Sequence, residues 1–202
     1  MTYLFQKLYR FFSPFHISGV NNQLNIPSKR SNVKITIHGN NNTVDIAPAK
    51  NLENLNILIL GDNNHLSIGE NARIYGPCSI RVEDGAKVLI GHDTGLRGVK
   101  ILARESSISI GNDCMTSYGV TIRNHDSHNV LDANRTICNP PKDIIIEDHV
   151  WIGEDVTILK GTKIKPNSIA AFGAILTKQY PPNCIIAGNP GVVVKENITW
   201  SK

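Results

Sequence analysis

Between residues 146 and 176 an apolar or small side chain returns at every sixth position: Ile146, Ile152, Ile158, Ile164, Ala170 and Leu176. Four residues after each of the first five stands a second small or β-branched residue: Val150, Val156, Thr162, Ser168 and Ala174. The same step recurs at Ile68, Ile74 and Ile80, and again at Ile110, Thr116 and Ile122. A period of six matches neither the helical repeat of about 3.6 nor the alternation of a long strand. It suits very short strands joined by turns, each sending one residue into a narrow core.

A longer repeat overlies the hexads in the N-terminal half. "GVNNQLNI" ends at Ile26, "GNNNTVDI" at Ile46, "GDNNHLSI" at Ile68, "EDGAKVLI" at Ile90 and "ARESSISI" at Ile110, at intervals of 20, 22, 22 and 20 residues. Each unit reads as one coil of a solenoid, with three short faces and turn residues between them. The Asn, Asp and Gly before each strand supply turns and tolerate left-handed backbone. Asparagine-rich sequence can also signal disorder, but the regular Ile, Val and Leu positions oppose that. The chain is therefore expected to be all-β, a β-solenoid over residues 19–200. The aromatic and basic start "MTYLFQKLYRFFSPF", broken at Pro14, is expected to form a short amphipathic helical segment over 1–18. It would cap one end of the solenoid or dock, with membrane-surface contact as a second option.

The rule breaks once. Ile122 and Ile146 are 24 residues apart, yet no hexads lie between them. Residues 123–145 are polar, carry "NPP" at 139–141, and read as a loop thrown out from one corner. Function concentrates in long loops held by a rigid scaffold, and "NHDSHN" at 124–129 lies at the root of this one. Its histidines, His125 and His128, are candidate general bases near neutral pH. The residues alone do not choose between them.

Composition narrows the rest. A net charge of +4, with no run of Lys or Arg longer than two, favours anionic ligands without calling for nucleic acid. No apolar stretch of about eighteen residues exists to span a bilayer, so a cytoplasmic location is expected. Cys78, Cys114, Cys138 and Cys184 lack the paired spacing of a zinc knuckle or redox centre and read as isolated core residues.

At this point the residues resemble a known family. "IIIEDHVWIGEDVTILKGTKIKPNSIAAFGAILTK" followed by "AGNP" is similar to the hexapeptide-repeat acyltransferases, whose fold is a left-handed parallel β-helix. "DSHNVLD" and "NPPKDIIIEDHVWIG" resemble the subgroup that O-acetylates capsular and lipopolysaccharide sugars, and the asparagine-rich coils and "VKENITW" look closest to capsular sialic-acid O-acetyltransferases. The resemblance covers roughly residues 19 to 200. It implies a homotrimer with acetyl-coenzyme A lying along the solenoid between subunits, and no metal. In the family the catalytic histidine stands about two dozen residues before the tryptophan of the "VWIG" coil, here Trp151, in a D-x-H pattern. Asp126, Ser127 and His128 match that pattern, so the resemblance selects His128 over His125.

The chemistry suits these residues. A sugar hydroxyl attacking a thioester must lose its proton, and a neutral imidazole can take it and return it to the departing thiolate. A backbone N–H near the loop would steady the charge on the thioester oxygen. Asn124 or Asp126 is expected to orient the reacting groups. Trp151 lies between inward-facing Val150 and Ile152, so it should point outward and wall the pantetheine arm. Gly153 and Gly173 would let the cofactor approach the backbone, while Thr177 and Lys178 would meet its phosphates. Phe172 occupies a coil position usually small in the family, and Val192 replaces a usual Arg or Lys, which leaves Lys195 to take over. An N-acetyltransferase acting on an amino-sugar nucleotide or another amine would use the same base. A γ-type carbonic anhydrase would need convergent histidines such as His125, His128 and His149, and a non-enzymatic solenoid would need no excursion loop.

Overall fold

The computed structural model describes residues 14–202. The expected helical segment falls largely outside these residues. Its last part, Phe15–Ser18, is a strand pairing in parallel with Ser31–His38, so the solenoid already includes residues assigned to the cap. Strands stack from coil to coil into three faces. The first carries Ser31–His38, the later part of Asn51–Leu60, Cys78–Glu83, Lys100–Arg104, Thr121–Arg123, Thr157–Leu159 and Ile175–Leu176. The second runs from Gln23–Asn25 through Ser107–Ile110 and Ile144–Ile146 to Gln179–Tyr180, and the third from Arg73–Tyr75 through Trp151–Ile152 to Cys184–Ala187. All these pairings are parallel, until Val192–Glu196 turns back antiparallel on Cys184–Ala187.

Stacking in register explains the hexads. Ile35, Ile57, Ile80, Ile101, Ile122, Ile158 and Leu176 follow one another up the first face as partners, all pointing inward and buried. Every inward position of the 146–176 series is likewise buried, including the polar Thr162 and Ser168, whose hydroxyls donate to the carbonyls of Leu176 and Pro181. Parallel strands this short gain little from pairing alone; continuous burial between coils holds them.

The corners explain the Asn and Asp. Asn71, Asp93, Asp113, His149, Asn167 and Asn183 all take positive φ, between 54° and 60°, at the corner between the second and third faces. Asn is tolerated there because its short amide can bond locally. His149 is the exception in that column. Among the described residues no helix is long and apolar enough to cross a membrane.

Candidate active site

The excursion leaves the first face after Thr121–Arg123 and rejoins the second at Ile144–Ile146. It is an ordered arm. Leu131 and Ile137 form an antiparallel bridge, and Asp132 accepts from the backbone N–H groups of Asn134 and Thr136 at 2.8 and 2.9 Å. Val130, Leu131 and Ile137 are exposed on it.

At its root the two histidines part company. His125 is buried, and its Nδ1 accepts the backbone N–H of Ser127 at 3.1 Å. In the neutral ring that bond places the proton on Nε2. Burial, reinforced by the positive charges of Arg104 and Arg123, holds this imidazole below its ordinary pKa, so it stays neutral but has no free lone pair. His128 is exposed at the mouth of the arm. Its carbonyl accepts Asn139 Nδ2 at 2.9 Å, and the same amide donates to Asp126 Oδ2 at 2.9 Å. Lys160 also donates to Asp126, and its bond is the leading reason that this carboxyl sits below its usual range. Asp126 is thus linked to the backbone of His128 through Asn139.

Asn124 differs from expectation. It is fully buried, its Oδ1 accepts Arg104 N at 2.9 Å, and its Nδ2 donates to Ser106 O and Oγ at 3.0 Å each. With its amide oxygen and nitrogen both engaged, it fixes the coil from which the arm departs.

A charged brace behind the root escaped the sequence reading. Arg123 donates to His125 O at 2.7 Å and to Ser127 Oγ, while Arg104 Nη1 lies 3.5 Å from Ser127 O. Arg104 and Arg81 both donate to the buried Glu83 carboxylate, Arg104 Nη2 at 2.7 Å and Arg81 Nε at 2.8 Å. Burial pushes the Glu83 carboxyl up, but the two guanidinium groups outweigh it and hold it below its ordinary value. The signal available in sequence was the coil-length spacing from Glu83 to Arg104.

Trp151 lies on the third face, outward as expected and 36% exposed. It is not isolated, because Trp200 lies 6.0 Å away, tilted. Trp200 stacks on His149 at 4.1 Å, its Nε1 donates to His149 O, and His149 bridges Asp113 Oδ2 at 2.7 Å and Trp200 O at 3.0 Å. Lys202 bonds Asp113 as well, so residues 198–202 strap across several coils. Both ring nitrogens of His149 are engaged, which removes it from the histidines that a carbonic anhydrase site would need.

A Cβ on Gly153 would come 2.8 Å from Ala170 O, so that glycine is required by coil stacking itself. Gly173 has φ +67°, with open space around its would-be Cβ. Thr177 and Lys178 are exposed beyond Ile175–Leu176, and Phe172 projects at the neighbouring corner, 71% exposed. Val192 and Lys195 share the exposed final strand. Cys78, Cys114 and Cys184 are buried as expected, and burial raises the Cys114 thiol to about 11; Cys138 instead lies exposed on the arm.

Within one chain His128 and Trp151 do not meet. His128 leaves from the corner of the first and second faces, and Trp151 begins the third, so the second face, on the order of 10 Å of strand, separates their roots.

No protein-family model matches the chain. It is 37% identical over 195 residues to the polysialic acid O-acetyltransferase of Neisseria meningitidis, covering 91% of this chain and 87% of that one. It is 36% identical over 140 residues to the polysialic acid O-acetyltransferase of Escherichia coli O1:K1 / APEC, where the match spans 68% of this chain but only 45% of that protein. Among solved structures, the polysialic acid O-acetyltransferase OatWY superposes with a TM-score of 0.84 at 34% identity, covering 93% of this chain and 91% of that one. The polySia specific acetyltransferase NeuO gives 0.78 at 29%, covering 93% and 82%. These matches place the fold as a left-handed parallel β-helix.

Proposed function

Because the chain belongs to the polysialic acid O-acetyltransferases, a branch of the hexapeptide-repeat acyltransferases, we propose that it moves the acetyl group of acetyl-coenzyme A to a hydroxyl of a capsular sialic acid polymer, with His128 as general base. The observation that carries the assignment of the base is the contrast at the arm's root. His128 is open to solvent, whereas the acceptor nitrogen of His125 is already engaged. His128 takes the proton of the attacking hydroxyl as the oxygen adds to the thioester carbonyl. The tetrahedral intermediate, its oxyanion met by a backbone N–H, collapses by breaking the C–S bond, and the imidazolium returns the proton to the coenzyme A thiolate. No covalent acyl-enzyme is required.

Trp151, Gly153, Gly173, Thr177 and Lys178 form the cofactor side in this reading, with Trp151 walling the pantetheine arm. The separation of His128 from Trp151 by a whole face supports a homotrimer in which each site joins the arm of one subunit to the third face of its neighbour. The exposed Val130, Leu131 and Ile137 would be covered in that contact.

The test is incubation with acetyl-coenzyme A and polysialic acid, reading free thiol together with acetyl groups on the polymer. Thiol release that tracks polymer acetylation is expected; acetylation confined to amines would overturn the reading.

A further inference from the structure

The outward residues of the first face form a pattern that the reaction at His128 does not use. Leu58, Arg81, Leu102, Arg123 and Leu159 stand in register on successive coils, so arginine and leucine alternate up the face. Coils are about 4.8 Å apart, which puts Arg81 and Arg123 roughly 10 Å apart along the axis. Arg104 lies one coil below Arg123, in the neighbouring outward column. One carboxylate, Glu83, is buried between Arg81 and Arg104, and Asp84 lies 3.6 Å from Arg104. Three guanidinium groups therefore face two carboxylates, with Lys100 on the same face adding further positive charge.

The ladder has two defined ends. At the upper end Arg104 and Arg123 touch Ser127, the residue before His128. At the lower end the same face opens into a hollow of about 460 Å³ lined by Lys34, Asn54, Asn56, Ser79 and others. Lys34, Asn56, Ser79 and Lys100 again stand in register, and the hollow runs from two to four coils below the root of the arm, with Lys34 about 19 Å below it.

Resting on the transferase reading above, we propose that this face is an extended acceptor subsite for a polyanionic sugar chain, from the Lys34 hollow across Arg81 and Arg104 to His128. The outer Nη1 groups of Arg81 and Arg123, whose Nε and Nη2 are held by Glu83 and by the root of the arm, bind the carboxylates of successive sugar units, and the interleaved leucines meet the apolar faces of the same units. The alternation suits a ligand that repeats a carboxylate and an apolar edge. Glu83 holds Arg81 and Arg104 in place from beneath, so the ladder is fixed before the ligand arrives. A chain held over several coils presents one unit to His128, and preference for polymer over monomer follows from the length of the subsite.

The decisive experiment uses Lys34→Gln with Lys100→Gln, both exposed on this face and outside the brace at the root of the arm. Polymer binding is measured by calorimetry without cofactor, and steady-state kinetics are measured with polysialic acid and with short sialic oligomers. Expected is a loss of roughly fivefold in polymer affinity per charge removed, with kcat, the KM for acetyl-coenzyme A and turnover of the shortest oligomers unchanged. The slope of log Kd against log salt should fall by about one per lost contact, as for other polyanions. Polymer whose carboxyls have been reduced to alcohols should bind wild type no better than the double variant. Unchanged polymer affinity in the double variant, or equal losses for polymer and shortest oligomer, overturns the subsite. A wild type that binds polymer through these residues but transfers nothing to it keeps the subsite and refutes the transferase reading.

Discussion

The two halves of the solenoid share one core and differ on the outside. On the first face the lower strands Ser31–His38 and Cys78–Glu83 have 8 and 6 residues; the upper strands Thr157–Leu159 and Ile175–Leu176 have 3 and 2. The inward columns nevertheless run through both without interruption. The added residues broaden the faces and corners, and the lower corners are tied by an amide ladder. Asn42 Oδ1 accepts the Asn64 side-chain amide at 2.9 Å, and Asn64 Oδ1 accepts Gly85 N at 3.0 Å. In the upper half small residues and close backbone contacts do that work, as at Gly153 and Ser168. A broad, rigid, charged face suits an extended polymer. A smooth, close-packed one suits a slender cofactor arm. The arm with His128 emerges where the two regimes meet.

The largest effect should come at that junction. His128→Ala is expected to lower kcat by about 10²- to 10⁴-fold, the range for loss of an essential base, with the melting curve unchanged. His125→Gln, which keeps an acceptor for Ser127 N–H, should remain within about tenfold of wild type. If steady-state kinetics showed the two variants trading places, the junction would still hold the site but the base would be His125.

The ladder itself can be broken next. Asn64→Ala removes the acceptor for Gly85 N and buried donors to Leu60 O and Gly61 O, so a stability loss of about 3 kcal/mol is expected. Ser168→Ala, at a corner of the upper half, removes the acceptor of the long 3.4 Å Cys184 N contact and a donor to Pro181 O, which Cys184 Sγ also reaches at 3.1 Å, and should cost about 1 kcal/mol. Denaturant unfolding of both variants checks the contrast, and equal losses would mean that the lower corners are no more dependent on side-chain bonds than the upper ones.

What the sequence made legible follows from physics that repeats. Ile146 through Leu176 could be placed inward because each coil meets the same neighbours, and the loop announced itself as the one interruption. The roles of Glu83 and Trp200 were illegible because their partners, Arg104 and His149, are brought near by coil stacking and by a returning tail, which no local period encodes. Asn124 is illegible for a related reason: beside two histidines an asparagine reads as part of the site, and only coil stacking shows its amide bonded to Arg104 N and to Ser106.

A smaller effect should separate the two substrates. Trp151→Ala is expected to raise the KM for acetyl-coenzyme A about tenfold while sparing polymer affinity, the reverse of the Lys34 and Lys100 changes. Trp200→Ala should give a weaker shift in the same direction, since it removes the ring tilted against Trp151. Kinetics with each substrate varied in turn would reveal a mixed pattern if both substrates used one face.

The smallest effect concerns pH, and it belongs to the root of the arm. His125 has a folded pKa held below the ordinary value of about 6.5 by burial and by Arg104 and Arg123. As pH falls through 6.5 the unfolded chain takes up this proton first, so the contribution of His125 to stability is full above that value and is lost as pH drops towards the folded pKa. The melting temperature of wild type should therefore decline from about pH 6.5 downward, and His125→Gln should flatten that part of the curve. A further decline below about pH 4 should persist in both proteins, because the carboxyls of Glu83, Asp113 and Asp126 are also held below their ordinary values. Hydrogen exchange between pH 7 and 5 can then locate the first change. Loosening is expected at the coils that carry Glu83, Arg104 and His125, with residues 146–176 unaffected. Uniform loosening along the solenoid, or a curve that His125→Gln leaves unaltered, would show that the buried imidazole is not what makes the root of the arm sensitive to acid.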